Sequence, residues 1–434
     1  MGVLLMMNDA TGSGKFDFGG TLKIFYLLFF FIILLFTQLS LAVDFTYSGY
    51  LKSYALAQDE IEIKDSPQQF DNSFQSQNAL RLMAGGFTEN NGNIEIHYEV
   101  QPVYYSETSQ INDSGGLGST FSTGSNRYRY KDINTTINND PMSDDDHIVV
   151  WQNLDRLNYQ YGNDYGDFTI GRQVVAFGSA RFINPTDIFI PFTIQTLNQE
   201  YRAGIDALRY QADLGDFAIL DTGVIVGEDG KEENSAAFIR GKNSINGNDI
   251  EAMFIKLDES WLLGGGIERA LGDFGFWFET AYMQMNNNAT NDYWRSSIGS
   301  DYALNESVIL MLEYHYNGAG SSNPDDYLQL LSQEPYQKAG IFLLGKHYLI
   351  PAISWVVTPL VNVNASSFLN VSDQSVFINL SSEVSWSDNL YSDLGTYLSY
   401  GDGLEYQAPT QQISFGSEFG AYPLSFYASL RYYF

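Results

Sequence analysis

From residue 43 onward the chain alternates apolar and polar positions with period two, in segments of about ten residues. Leu424, Phe426, Ala428, Leu430, Tyr432 and Phe434 share one face, and Ser425, Tyr427, Ser429, Arg431 and Tyr433 share the other. Val376, Ile378, Leu380, Val384 and Trp386 alternate in the same way with Phe377, Asn379, Ser381, Glu383 and Ser385. Phe274, Phe276, Phe278, Thr280 and Tyr282 form a further apolar face, opposite Trp277 and Glu279. No run after residue 43 approaches the 18 or so apolar residues of a spanning helix. The pattern predicts strands throughout, eighteen in number, or sixteen if 235–271 is divided differently.

Two features turn this from any half-buried sheet into a barrel that spans a bilayer. Aromatic residues gather near strand ends, with Trp151, Trp261, Trp294 and Trp386 expected in the girdles at the two interfaces. Connections also alternate between short and long. Residues 89–93, 162–166, 214–216, 246–248, 305–307 and 387–389 are short, whereas 58–73, 108–146, 178–203, 318–338 and 401–423 are long. Short periplasmic turns and long extracellular loops mark an outer-membrane barrel. The predicted fold class is therefore all-β, a transmembrane antiparallel β-barrel of about 18 strands. An even count places both ends of the barrel in the periplasm.

Ahead of the barrel, Ile24–Phe36 is unbroken apolar sequence after Lys15 and Lys23, and Ser40 and Ala42 fall at −3 and −1 to Val43. These features predict a signal peptide, 1–42, cleaved before Val43, with an uncleaved anchor as the alternative. Residues 43–434 form a single barrel domain with long extracellular loops.

Composition narrows function. The charge of −30, from 52 acids against 22 bases, leaves no basic face for nucleic acid. The absence of Cys removes disulfides, thiolate metal sites and cysteine nucleophiles. Phe, Tyr and Trp make up 15% of the chain, as lipid-facing bands require.

The final strand ends Leu430-Arg431-Tyr432-Tyr433-Phe434 and resembles the signal by which Gram-negative barrel-assembly machinery reads its clients. Ile170-Gly171-Arg172-Gln173, then Phe177-Gly178, Asn184-Pro185-Thr186-Asp187 and Gly204-Ile205-Asp206-Ala207-Leu208-Arg209-Tyr210 are similar to the alginate-export type of porin-like barrel. Glu313–Gly318 and Ser417–Pro423 look like segments of the same broad group. The resemblance implies a Gly-Arg-Gln strand followed by a long inward loop. It also implies a basic pore, from which this acidic chain departs.

A barrel of this size encloses more space than side chains fill. Inward positions give pore-lining candidates: Glu95, Glu99, Glu251, Glu268, Glu279, Asp301, Glu313 and Glu383, with Arg81, Arg156, Arg209 and Arg295. Lys52 and Arg431 share the polar faces, so eight acids against six bases predict a mild cation preference. Cross-strand ion pairing is the plainer role for each. Arg172 has the parity of the outward Phe168 and Ile170, which calls for a bulge or a polar interface. Loop 178–203 sets Arg181, Asp187, Glu200 and Arg202 among Phe182, Ile183, Ile188, Phe189, Ile190 and Phe192. So apolar a loop is expected to fold into the barrel as a constriction. Asp144-Asp145-Asp146 lacks the spacing of a calcium loop and reads as solvated acid, so no metal ligand is assigned. Asp325–Leu331, opened by Pro324, predicts a short amphipathic helix.

No hydrolase, zincin or phosphate-loop motif occurs, and none of His97, His147, His315 and His347 stands beside a serine on a lipid-facing strand. The sequence therefore reads as a channel in the bacterial outer membrane, not an enzyme, passing small hydrophilic solutes without a cofactor. Its expected partners are outer-membrane lipid, lipopolysaccharide, the solute and the assembly machinery. An adhesin or structural barrel with binding loops is the alternative.

Overall fold

The computed structural model describes residues 44–66, 70–88, 91–106, 126–133, 136–137, 147–286, 291–407 and 412–434. The segment 1–42 and the acids Asp144, Asp145 and Asp146 lie outside the described residues. Eighteen strands form one closed antiparallel sheet. They begin with β1 (Asp44–Gln58), β2 (Ser73–Phe87), β3 (Gly92–Tyr105), β4 (Ile148–Asn163), β5 (Gly166–Gln173) and β6 (Ile205–Asp213). The ring continues through β7 (Ala218–Ile225), β8 (Ala236–Ile245), β9 (Asn248–Leu257), β10 (Ser260–Leu271), β11 (Phe274–Gln284) and β12 (Tyr293–Asn305). It ends with β13 (Val308–Asn317), β14 (His347–Thr358), β15 (Val361–Asn370), β16 (Ser375–Ser387), β17 (Leu390–Tyr400) and β18 (Ser425–Tyr433).

Each strand pairs with its neighbours in sequence, and β18 closes on β1 with Tyr50 opposite Tyr433 and Gln58 opposite Ser425. Gly49 and Phe434 exchange backbone hydrogen bonds of 2.8 and 3.0 Å at this seam. A closed ring has no unpaired edge, the condition for placing a sheet in hydrocarbon. No described helix is long and apolar enough to cross a membrane.

The alternation fixes the faces. Leu51, Leu82, Ile170, Leu208, Phe276, Phe278, Leu312, Leu394, Phe426 and Leu430 point outward and are exposed, while Lys52, Arg81, Glu279 and Glu313 point inward and are buried. One rim carries tight turns. Asn246 (φ 53°) and Gly247 (φ 75°) are both left-handed, as the two-residue turn joining twisted strands requires. The other rim carries the long loops, except that two-residue and four-residue links join β9 to β10 and β15 to β16.

At the long-loop rim an outward aromatic row runs Phe254–Trp261–Tyr282–Trp294, with ring centroids 4.9–6.0 Å apart. Trp386 is exposed at the short-turn rim, and Trp355 is exposed on β14. Trp151 departs from expectation. It has the parity of Val149 and packs inward with Val103 and Tyr105.

Arg172 keeps its outward parity, opposite Leu157 and Asp206. It lies under the long-loop rim, where it bonds Asp206, Asp132 and the carbonyls of Lys131 and Leu154, all at 2.8–3.0 Å. The bulge is on β4 instead, where Asp155 has no partner on β3. The extra residue turns that carboxylate inward.

The interior is not a uniform water column. Against β6–β12, three loop segments bring in Tyr128, Val175, Phe177, Ile188, Phe189, Ala339 and Ile341. They pack on inward Ile225, Phe238, Met253, Ile255, Leu262, Met283 and Tyr293. This half of the barrel is filled like a globular core. The predicted short helix is present as Tyr327–Leu331 behind a 3-10 turn at Pro324–Asp326, and a second helix spans Glu334–Lys338. Tyr327 and Leu330 pack with Leu344, Leu404 and Phe415 in a cluster beneath a small sheet of 63–64, 404–407 and 412–415.

Candidate channel and its inner loop

Between β5 and β6 the chain turns into the barrel and leans on the inner faces of β11 and β13. Glu279 accepts hydrogen bonds from the amides of Ser179, Ala180 and Thr186 at 2.7–3.0 Å, and from the Thr186 hydroxyl at 2.7 Å. Glu313 accepts the amides of Arg181, Phe182 and Ile183 at 2.9–3.3 Å, and Trp277 Nε1 at 2.8 Å. Both carboxylates are fully buried. The loop thus finds on two side chains the acceptors that its own irregular backbone lacks. Ser297 adds a third tie by donating to the Ile183 carbonyl at 2.6 Å. Its hydroxyl also meets His315 Nδ1 at 2.8 Å, and this buried Ser–His contact anchors the loop.

The Glu313 arrangement depends on a glycine. Trp277, Gly299 and Glu313 occupy one row across β11, β12 and β13. The indole lies across Gly299 to reach the carboxylate, and a Cβ there would stand 2.3 Å from the ring. Gly299→Ala is therefore expected to displace Trp277 and destabilise the barrel by about 1–3 kcal/mol. A lowered urea midpoint measures this, and an unchanged midpoint with Trp277 fluorescence intact refutes it.

The remaining candidates are mostly paired, several of them with residues outside the candidate set. Asp155 is the centre of one network: it binds Arg81, Arg156 at 2.7 Å and the Gly204 amide at 2.7 Å, with Arg129 at 3.7 Å. Glu99 accepts from Tyr50 and Gln101 and lies 3.7 Å from Arg81. Glu95 binds Asn158 at 2.9 Å. Arg209 grips Asp221 at 2.7 Å, and Glu251 holds Arg240 at 2.8 Å. Asp301 accepts the Gly275 amide at 3.1 Å near the short-turn rim. Glu383 binds Arg431, which also meets Asp393 at 2.9 Å. Glu200 binds Lys52 and the Tyr433 hydroxyl. Sequence reasoning passed over Asp155, Asp221, Arg240 and Arg129. An arginine opposite a carboxylate on the next strand would have pointed to Arg240, but the bulged Asp155 has no such signature.

On its other side the loop faces an open cavity of about 320 Å³, bounded by the inner wall from β12 to β16. Arg181, Arg202 and Arg295 reach it, with Asp187 as its single acid. Asp187 is buried and paired with Arg202, and burial pushes its carboxyl up against that arginine's pull. Arg202 also stands 4.8 Å from the Phe192 ring. Arg181 is the most open of the three; it meets Glu268 at 3.1 Å and lies over Trp277. Arg295 contacts the Pro185 carbonyl at 3.4 Å, and its Nε has no partner among the described residues. Opposite stand the neutral Asn364, Ser366 and Asn379. Glu279 and Glu313, expected to line the pore, are buried under the loop, so the cavity beside it is bordered by three arginines and one acid.

No known family matches the chain, and no curated protein matches it. Among solved structures it is similar to OccD3 of Pseudomonas aeruginosa, with a TM-score of 0.52 and 10% identity over 89% of this chain and 91% of that one. OccAB4 of Acinetobacter baumannii gives a TM-score of 0.55 and 10% identity over 90% and 98%. OccAB3 of the same organism gives 0.53 and 10% over 90% and 99%. At such identity the likeness is one of fold, a closed antiparallel β-barrel.

Proposed function

We propose that the protein is an outer-membrane channel through which small hydrophilic solutes pass down their own gradient, narrowed by the inward loop between β5 and β6. The open cavity beside that loop supports this reading most directly. A fully filled barrel would leave no cavity of this size bordered by three arginines and neutral side chains. In this reading residues 1–42 are a cleaved signal peptide and the β18 strand engages the assembly machinery. The acidic outer loops sit among lipopolysaccharide through bridging divalent ions. The resemblance to alginate-export barrels extends to the strand-then-loop order and no further, because a charge of −30 opposes a long polyanion.

Refolded, heat-modifiable protein in planar bilayers tests the proposal. Discrete conductance steps are expected, with a reversal potential in a salt gradient that favours the anion. Replacing Arg181 and Arg202 by Gln should move that potential toward zero. Well-folded protein that carries no current would refute the channel and favour the adhesin.

A further inference from the structure

The inner loop borders a second, smaller cavity, of about 70 Å³, which lies against the inner faces of β1–β4. Phe192 borders both cavities, and with Ile190 and Thr196 it forms the loop side of the smaller one. The short side chain of Ala79, between the inward Gln77 and Arg81 on β2, leaves the space open. One water needs about 10–15 Å³ of such space, so there is room for several waters or for one glycerol-sized molecule.

The charged groups around this cavity are already paired. Arg81 binds Asp155 and lies 3.7 Å from Glu99, and Asp155 also holds Arg156 at 2.7 Å. The uncharged groups are not all satisfied. Gln77 is only 6% exposed, yet its side chain makes no hydrogen bond among the described residues. Gln101 donates to Glu99, and Asn153 accepts from Arg129 at 2.8 Å. The Gln101 carbonyl oxygen and the Asn153 amide nitrogen have no partner among the described residues. Buried amides are ordinarily completed by hydrogen bonds, and here whatever fills the cavity must supply them.

We propose that this cavity is a binding site for a small uncharged polyol, which names one class of solute for the channel reading on which it rests. Each hydroxyl both donates and accepts, so neighbouring hydroxyls match the free oxygen of Gln101, the free nitrogen of Asn153 and the whole amide of Gln77. Ions fit less well. An entering carboxylate meets Glu99 and Asp155, and an entering ammonium meets Arg81. The two sides of the inner loop therefore differ in chemistry, with arginines bordering the larger cavity and amides the smaller.

Saturation-transfer NMR on refolded, detergent-solubilised protein, with erythritol as the probe, tests the site without reference to current. A signal is expected from the parent chain. Ala79→Leu fills the space, and Gln77→Leu keeps the bulk but removes the amide; each should weaken binding at least about five-fold, as loss of one hydrogen bond does. Heat-modifiability shows which variants fold, and Gln77→Leu decides alone if Ala79→Leu does not. Arg181→Gln with Arg202→Gln should keep the signal, and an equal concentration of acetate should not displace it. No signal from the parent, undiminished binding in Gln77→Leu, loss in the arginine variant, or displacement by acetate overturns the polyol site. Protein that binds erythritol in this pattern but carries no current upholds the site and refutes the channel alone.

Discussion

Deleting Phe182–Phe192 is expected to raise single-channel conductance at least about two-fold, since it removes the segment that borders the open cavity and takes Ile188 and Phe189 out of the packed half of the barrel. The deleted stretch lies against the cavity wall and supplies Asp187, the partner of Arg202. Ion preference should weaken at the same time. A wider water column lets mobile ions screen Arg202 and Arg295, and screening is strong beyond about 8–10 Å at ordinary salt. Conductance equal to that of the intact chain would show that current does not pass beside this loop.

The second large effect comes from keeping the loop and removing its fastenings. In Glu279→Ala with Glu313→Ala, the amides of residues 179–183 and 186 lose their acceptors, as does Trp277 Nε1. A buried donor left without a partner costs about 1–3 kcal/mol. Several together exceed what holds the loop to the wall, so it moves into water. The expected record is a noisy channel that flickers between levels, with a smaller mean increase than the deletion gives. A quiet trace at the parental level would mean that Ser297 and the apolar contacts suffice to hold the loop.

The barrel was readable from the chain because a wall between lipid and lumen imposes period two on nearly every strand, and the long outer loops stand apart from the turns. Phe274, Phe276 and Phe278 against Trp277 and Glu279 illustrate how directly that parity transfers. The contents of the lumen were much less accessible. Glu279 and Glu313 have the same parity whether they face water or a folded-back backbone, so the sequence suggests pore lining where there is burial. Met253, Ile255 and Leu262 on inward positions hinted at a filled interior, yet buried apolar residues on both faces also fit other kinds of strand. Trp151 near a strand end looked like a girdle residue, but Val149 and Tyr105 share its inward side. The role of Asp155 depends on one extra residue in β4, and a one-residue change of register leaves no mark in composition.

The uneven filling of the barrel divides its wall into two regimes of mutational tolerance. On the filled side, inward residues such as Phe238, Met253 and Ile255 belong to a packed core, where trimming a large side chain to alanine costs about 2–5 kcal/mol. On the open side, Asn364, Ser366 and Asn379 border the cavity and bear little of that load. Under the proposed channel function, new solute preferences can arise along β15 and β16 by single substitutions, while the opposite wall keeps the fold intact.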